Sequence, residues 1–172
     1  MNTRKVIVLD TTVLLNLGNI DRFSLLPRMA DIDFVYLDEA LREIVHGDAV
    51  PRFEAACREG LIAEATLSDV AGLALFAQLR RQVGLGEAQA LAYAHSSGAI
   101  LATDDKRRPF PMLAAQHLPA GRIVGTIDLY LCLIERGLVS VQEADADKAA
   151  LAQRRFAMKH ATFAGMAPRV IL

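Results

Sequence analysis

The 172-residue chain has almost no charge excess: 19 Lys and Arg stand against 20 Asp and Glu, a net charge of −1. No bulk field recruits nucleic acid or a membrane surface, so a polyanionic partner must be held by local charge. Cysteine is nearly absent. Cys57 and Cys132 are the only two; they lie far apart inside helical patterns and fit no metal spacing. They read as small buried hydrophobes in a reducing compartment, not as a disulfide scaffold or a metal site. Long apolar runs are missing too. The first one, in MNTRKVIVLD, stops at Asp10, too short for a signal peptide, and no stretch approaches the ~20 apolar residues of a membrane helix. A cytoplasmic protein with no membrane partner is expected. There is no internal repeat, low-complexity segment or convincing linker. No serine sits in a nucleophile elbow, and GLGEAQ has no phosphate-loop signature. His46, His117 and His160 share no metal spacing, and His95, on the apolar stripe of its helix, reads as a core residue.

What is present is alternation. Short apolar runs alternate with longer amphipathic segments, the pattern of β-α repetition around a parallel sheet, and the length suits one domain with a substantial core. KVIVLD (5–10), DFVYLD (33–38), GAILATD (98–104) and a small RIVG (122–125) read as strands, with LIAEATL (61–67) a weaker candidate. Helices are expected from TTVLLNL, DEALREIVHG, VPRFEAACREG, SDVAGLALFAQLRRQVG, LGEAQALAYAHSSG, MLAAQHL and TIDLYLCLIERG, with a charged helical stretch from Val141. The fold class is therefore α/β, three layers around a central parallel sheet of four to five strands.

Two strands end in acids. VIVLD closes on Asp10 and ILATDD on Asp104 and Asp105, and the carboxyl rim of an open α/β sheet is where ligands bind. Each acid also has a bland reading, Asp10 as a helix cap and the Asp pair as a polar turn. Two glutamates join them. In DEALREIVHG, Asp38 looks like the amino cap and Gly47 the stop, which gives Glu39 a helix-dipole role. Ala40, Leu41, Ile44 and Val45 form the core stripe, leaving Glu43 turned about 130° away, toward either water or a cleft. Glu87 lies in the first turn of its helix beside the stripe Leu85, Ala88, Leu91, Ala92, where dipole and catalytic roles compete. Lys106, Arg107 and Arg108 follow the Asp pair and could grip an RNA backbone; Arg80 and Arg81 form a second basic pair that suits a solvated helix end.

Taken together, VIVLDTTVLLNL, the glutamate after the second strand, GLGEAQALAYA and ILATDDKR resemble the PIN-domain nucleases, most of all small prokaryotic proteins of the toxin type, over roughly residues 5 to 137. The resemblance implies a PIN-like nuclease domain over 1–140, with 141–172 as a carboxyl-terminal helical tail packed on the same domain. It implies a divalent-metal-dependent endoribonuclease, a hydrolase of phosphodiester bonds in single-stranded RNA that leaves a 3′-hydroxyl and a 5′-phosphate. The four acids it selects as catalytic residues and as ligands of Mg²⁺ or Mn²⁺ are Asp10, Glu43, Glu87 and Asp105. Asp104 occupies a place that is often Asn or Asp in the family, and Glu87 stands where Asp is frequent. Thr11, Thr12 and Thr103 are support candidates, and Lys106, Arg107 and Arg108 RNA contacts. The resemblance further implies a homodimer and an antitoxin protein that silences it.

The chemistry accounts for acids held together. Clustered carboxylates repel and raise one another's pKa, and a divalent cation reverses that. Mg²⁺ takes hard oxygen ligands, keeps several waters and needs one or two direct carboxylates, for which Asp10 and Asp105 are the first expectation. Two competitors remain. A haloacid-dehalogenase-like phosphatase also has an Asp after its first strand, but normally carries a second Asp two residues on, where this chain has Thr12. The other is a PIN-like binding module without catalysis.

Overall fold

The computed structural model describes residues 4–44, 47–170 and 172. In chain order the elements are β1 (Lys5–Leu9), α1 (Thr11–Asn19), a 3-10 turn (Phe23–Arg28), β2 (Ile32–Tyr36), α2 (Asp38–Glu43), α3 (Ala49–Arg58), β3 (Ala63–Glu64) and α4 (Val70–Leu79). Then come α5 (Leu85–Ser97), β4 (Ile100–Ala102), α6 (Phe110–His117), β5 (Ile123–Val124), α7 (Thr126–Glu135) and α8 (Val141–Gln153). Among the described residues the strands form one five-stranded sheet, order β3-β2-β1-β4-β5, with every pairing parallel.

A parallel strand buried on both faces needs an unbroken apolar run, and β1 supplies Ile7, Val8 and Leu9, all fully buried. Alternate side chains go to opposite layers. Ile7 and Leu9 join Phe34, Tyr36, Ala102 and Val124 against α1, α3 and α7. Val8, Val35 and Leu101 face Leu75, Leu79, Ala88, Leu91 and Leu113, from α4, α5 and α6. This is the three-layer α/β/α arrangement. The segment after α7 shares the first core through Ala144 and Phe163. It is tied down by Asp147 in α8, which accepts from Arg22 Nε at 2.9 Å to each oxygen and from the Tyr130 hydroxyl at 2.8 Å.

The order places chain reversal at β1. From there one half runs outward through β2 to β3 and the other through β4 to β5, so the switch point lies between β1 and β4. Leu9 pairs with Ala102, and the Asp10 N–H donates to the Ala102 carbonyl at 2.9 Å. Asp10 and the ThrAspAsp turn after β4 thus leave the sheet side by side.

Several expectations need correction. The helix after β2 has only six residues, too short for a full apolar stripe: Ala40 and Ile44 are buried, while Leu41 is exposed. Leu37 takes the cap position expected of Asp38, and the helix ends at Glu43, before Gly47; Val45 and His46 lie outside the described residues. Leu85, the first residue of α5, is exposed because the core begins at Gly86 and Ala88. His95 is exposed, not a core residue, because the end of α6 and not the sheet lies opposite the last turn of α5; its Nδ1 lies 2.8 Å from the His117 carbonyl oxygen. Cys132 is buried, but Cys57 only half-buried. β3 is a two-residue edge, shorter than LIAEATL. Among the described residues, no helix is long and apolar enough to cross a membrane.

Candidate metal centre

Asp10 occupies the cap position of α1, yet its side chain makes no capping hydrogen bond. Its Oδ2 instead accepts from the hydroxyls of Thr12 and Thr103, each at 2.9 Å. Its Oδ1 is buried without any donor. One oxygen is therefore clamped and the other left bare, an arrangement that costs free energy unless a positive group meets it.

Glu43 lines the cleft while remaining exposed to solvent. Its Oε2 accepts from the Thr11 hydroxyl at 2.6 Å and its Oε1 from the Gly86 N–H at 3.0 Å. Glu39, one turn earlier, pairs instead with Arg42 at 2.8 Å. Glu87 reaches back to the Gly84 N–H at 3.0 Å, half of a capping box, since glycine has no side chain to reciprocate. Its other oxygen turns inward, 3.4 Å from Arg107 Nη2. The dipole role and the inward-facing role coexist in one carboxylate.

The two neighbouring aspartates diverge. Asp104 turns toward the α1 and α7 side: its oxygens accept from Asn16 Nδ2 at 2.8 Å, from the Thr126 N–H at 3.0 Å and from the Thr126 hydroxyl. Its own N–H donates to Thr12 Oγ1 at 3.0 Å, which ties both strand ends together. Asp105 turns toward Glu87. Its N–H donates to Thr103 Oγ1 at 3.2 Å, so a single threonine links it to Asp10. Arg107, expected on an RNA backbone, folds onto Asp105 instead, with Nη2 at 2.7 Å from Oδ2. Two acids in reach attract it more than solvent does. Lys106 and Arg108 remain exposed on the same loop, as do Arg80 and Arg81 at the end of α4.

Electrostatics follow this geometry. Burial pushes the Asp10 carboxyl up, against the lowering effect of Thr103 and Thr12, and Glu43 adds to the rise. Burial also raises Asp104, opposed by Thr126 and Asn16. Glu87 is raised to about 7, first by burial and next by the nearby Asp105 carboxylate, against the lowering effect of the Gly84 N–H. Burial acts upward on Asp105 as well, but the Arg107 guanidinium and Glu87 outweigh it and hold that carboxyl well below the usual range. Among the described residues, no three His, Cys, Asp or Glu side chains form a closed ligand cage. The bare Asp10 Oδ1, beside a second acid of the same rim, fits a hard divalent cation.

Asn16 and Thr126 were missed in the sequence. Both are buried polar residues on otherwise apolar helices, and Asn16, four residues after Thr12 in TTVLLNL, carried the legible signal: a buried amide needs a partner. Gln89 was missed as well; it bridges α5 to α2 by donating to Asp38 at 2.6 Å and accepting from the Glu39 N–H at 3.1 Å.

Comparison with curated proteins and with solved structures gave no match. A protein-family model described as a PIN domain matches residues 6–164, a span that runs from the second residue of β1 through β5 and contains every acid of the rim. The parallel sheet, the acids at its carboxyl edge and that match agree, and the chain belongs to the PIN-domain family, a nuclease-type fold.

Proposed function

We propose that the protein is a ribonuclease that hydrolyses phosphodiester bonds of single-stranded RNA at a Mg²⁺ or Mn²⁺ site formed by Asp10, Glu43, Glu87 and Asp105. The observation that carries the proposal is Asp10: a buried carboxylate with one oxygen fixed by two threonine hydroxyls and the other without a donor. Asp10 and Asp105 would hold the ion directly, and Glu43 and Glu87 its waters or a second ion. A bound divalent cation supplies charge neutralisation at the scissile phosphate and activation of water for in-line attack.

The chain's own groups do the rest. Thr12 and Thr103 orient Asp10, and Thr11 with the Gly86 N–H orients Glu43, so neither carboxylate must reorganise when charge develops. Glu87, with its carboxyl near pH 7, can hold or release a proton at its Oε1 side under neutral conditions. Lys106 and Arg108 are placed to meet the RNA backbone. Thr12 spans Asp10 and the Asp104 N–H, so position 12 serves to orient the rim and supplies no second carboxylate for phosphatase chemistry. On the toxin-type resemblance, the proposal extends to a cytoplasmic homodimer silenced by an antitoxin partner.

The test is cleavage of a labelled single-stranded RNA. Wild type should cut with Mn²⁺ or Mg²⁺ and stop in EDTA, and Asp10→Asn should be inactive while folded. Undiminished cleavage in EDTA would overturn the metal reading. No cleavage of any single-stranded RNA, by a protein that binds Mn²⁺ at the rim, would favour the non-catalytic binding module.

A further inference from the structure

Arg107 holds Asp105 unusually completely for a residue two positions away. Its Nε lies 3.1 and 3.2 Å from the two carboxylate oxygens, its Nη2 2.7 Å from Oδ2, and its backbone N–H 2.7 Å from Oδ1. The same Nη2 reaches Glu87 Oε1 at 3.4 Å. The Asp105 side chain is 2% exposed and that of Arg107 83%, so the guanidinium covers the acids from the solvent side. The guanidinium's hydrogen bonds go to these two acids. Lys106 and Arg108, its neighbours on the loop, make no ion pair with them.

Those contacts use the oxygens a cation would use. Asp105 and Glu87 are two of the four acids of the proposed ion site, and a guanidinium and a divalent ion cannot both occupy Asp105 Oδ2. Only the arginine side of the pair is exposed, and it regains rotamer entropy on leaving, so a divalent ion that supplies more charge to the buried Asp105 can replace it. There is room for it to leave. Arg107 itself lines a cavity of about 490 Å³, together with Glu43, Glu87, Gln82, Val83 and Arg108.

We propose that Arg107 is a built-in counter-cation: it holds Asp105 and Glu87 together in the metal-free protein, and the divalent ion must displace it from Asp105 into the open cavity it lines in order to bind. The inference rests on the metal reading above. Arg107 is thus a positioning residue for the empty site and a competitor of the ion, not a ligand. Were the ion pair purely structural, its removal would loosen the loop and leave metal affinity unchanged or weaker.

Thermal unfolding titrated with Mn²⁺ separates these roles, because a ligand bound only by the native state raises the melting temperature according to its affinity. Arg107→Ala should lower the melting temperature without metal and tighten the apparent Kd for Mn²⁺ by at least about threefold, the weight of a favourable ion pair exposed on its arginine side. Arg107→Lys, which keeps the charge without the bidentate fork, should fall between the two and serves if the alanine variant does not fold. A wild type that ignores Mn²⁺ would overturn the metal reading and this inference with it. A wild type that responds, beside Arg107 variants whose Mn²⁺ affinity is equal or weaker, would overturn this inference alone.

Discussion

Gly86 offers a way to disturb the acids without changing any of them. A Cβ added there would stand 2.7 Å from Glu43 Oε2 and 2.9 Å from both its Cδ and Oε1. An ordinary contact needs at least about 3.5 Å, so in Gly86→Ala the carboxylate must retreat by about 0.8 Å and loses its bond from the residue 86 N–H. A misplacement of about 1 Å in an active site costs up to about 100-fold, so activity should fall about 10- to 100-fold. Stability should hardly change. The lost hydrogen bond costs about 1 kcal/mol, while alanine in place of glycine in a helix returns up to about the same. For a domain of this size a net 1 kcal/mol moves the melting temperature by only about 2–4 °C. Initial rates on labelled RNA, beside a thermal melt, give both numbers. Full activity in a folded Gly86→Ala protein would refute the placement of Glu43 in the working site.

The remaining expectations concern the acids themselves. Glu43→Gln should lower cleavage at least about tenfold, some 1.4 kcal/mol of transition-state stabilisation, and Glu39→Gln should leave it nearly unchanged, as rates on the same substrate will show. The Glu87 carboxyl is raised from its ordinary 4.5 to about 7, so its protonated form favours the folded state at low pH and that contribution is lost as pH rises through about 7. Metal-free wild type should therefore lose melting temperature between about pH 4.5 and 7, Glu87→Gln should lose less, and Mn²⁺ affinity should rise over the same range. Asp10→Asn should raise the metal-free melting temperature, because burial disfavours the charged form, whereas Asp105→Asn should lower it by removing the Arg107 partner. Two melts of the same sign would contradict that division.

The scaffold was legible where one physical signal dominated. Ile7, Val8 and Leu9 read as a doubly buried strand, and the alanine-rich stretch from Leu85 to Ser97, bounded by Gly84 and Gly98, as a helix. Asp10 and Asp105 followed from the strands that end beside them. Glu43 was ambiguous for a physical reason: helical spacing says which way a side chain points, not what stands there, and its partners Thr11 and Gly86 are 32 and 43 residues away in sequence. Arg107 reads in the sequence as one of three loop cations; its pairing with Asp105 is local, two residues away, and folding adds Glu87. Asp104 and Asp105 were indistinguishable as letters; Asn16 and Thr126 draw one away from the cleft and Thr103 holds the other beside Asp10. The short α2 also defeated periodicity, since six residues cannot display a stripe.

The central claim is that the carboxylates of the β1 and β4 rim constitute a divalent-cation site. Anomalous scattering from crystals grown with Mn²⁺ tests it most directly, because the signal locates the ion without reference to activity. The account predicts a Mn²⁺ peak within coordination distance of Asp10 Oδ1 and of an Asp105 oxygen, with Arg107 withdrawn from Asp105, and no such peak in Asp10→Asn crystals. An empty rim at saturating Mn²⁺, or an ion bound only at acids elsewhere on the surface, would contradict it.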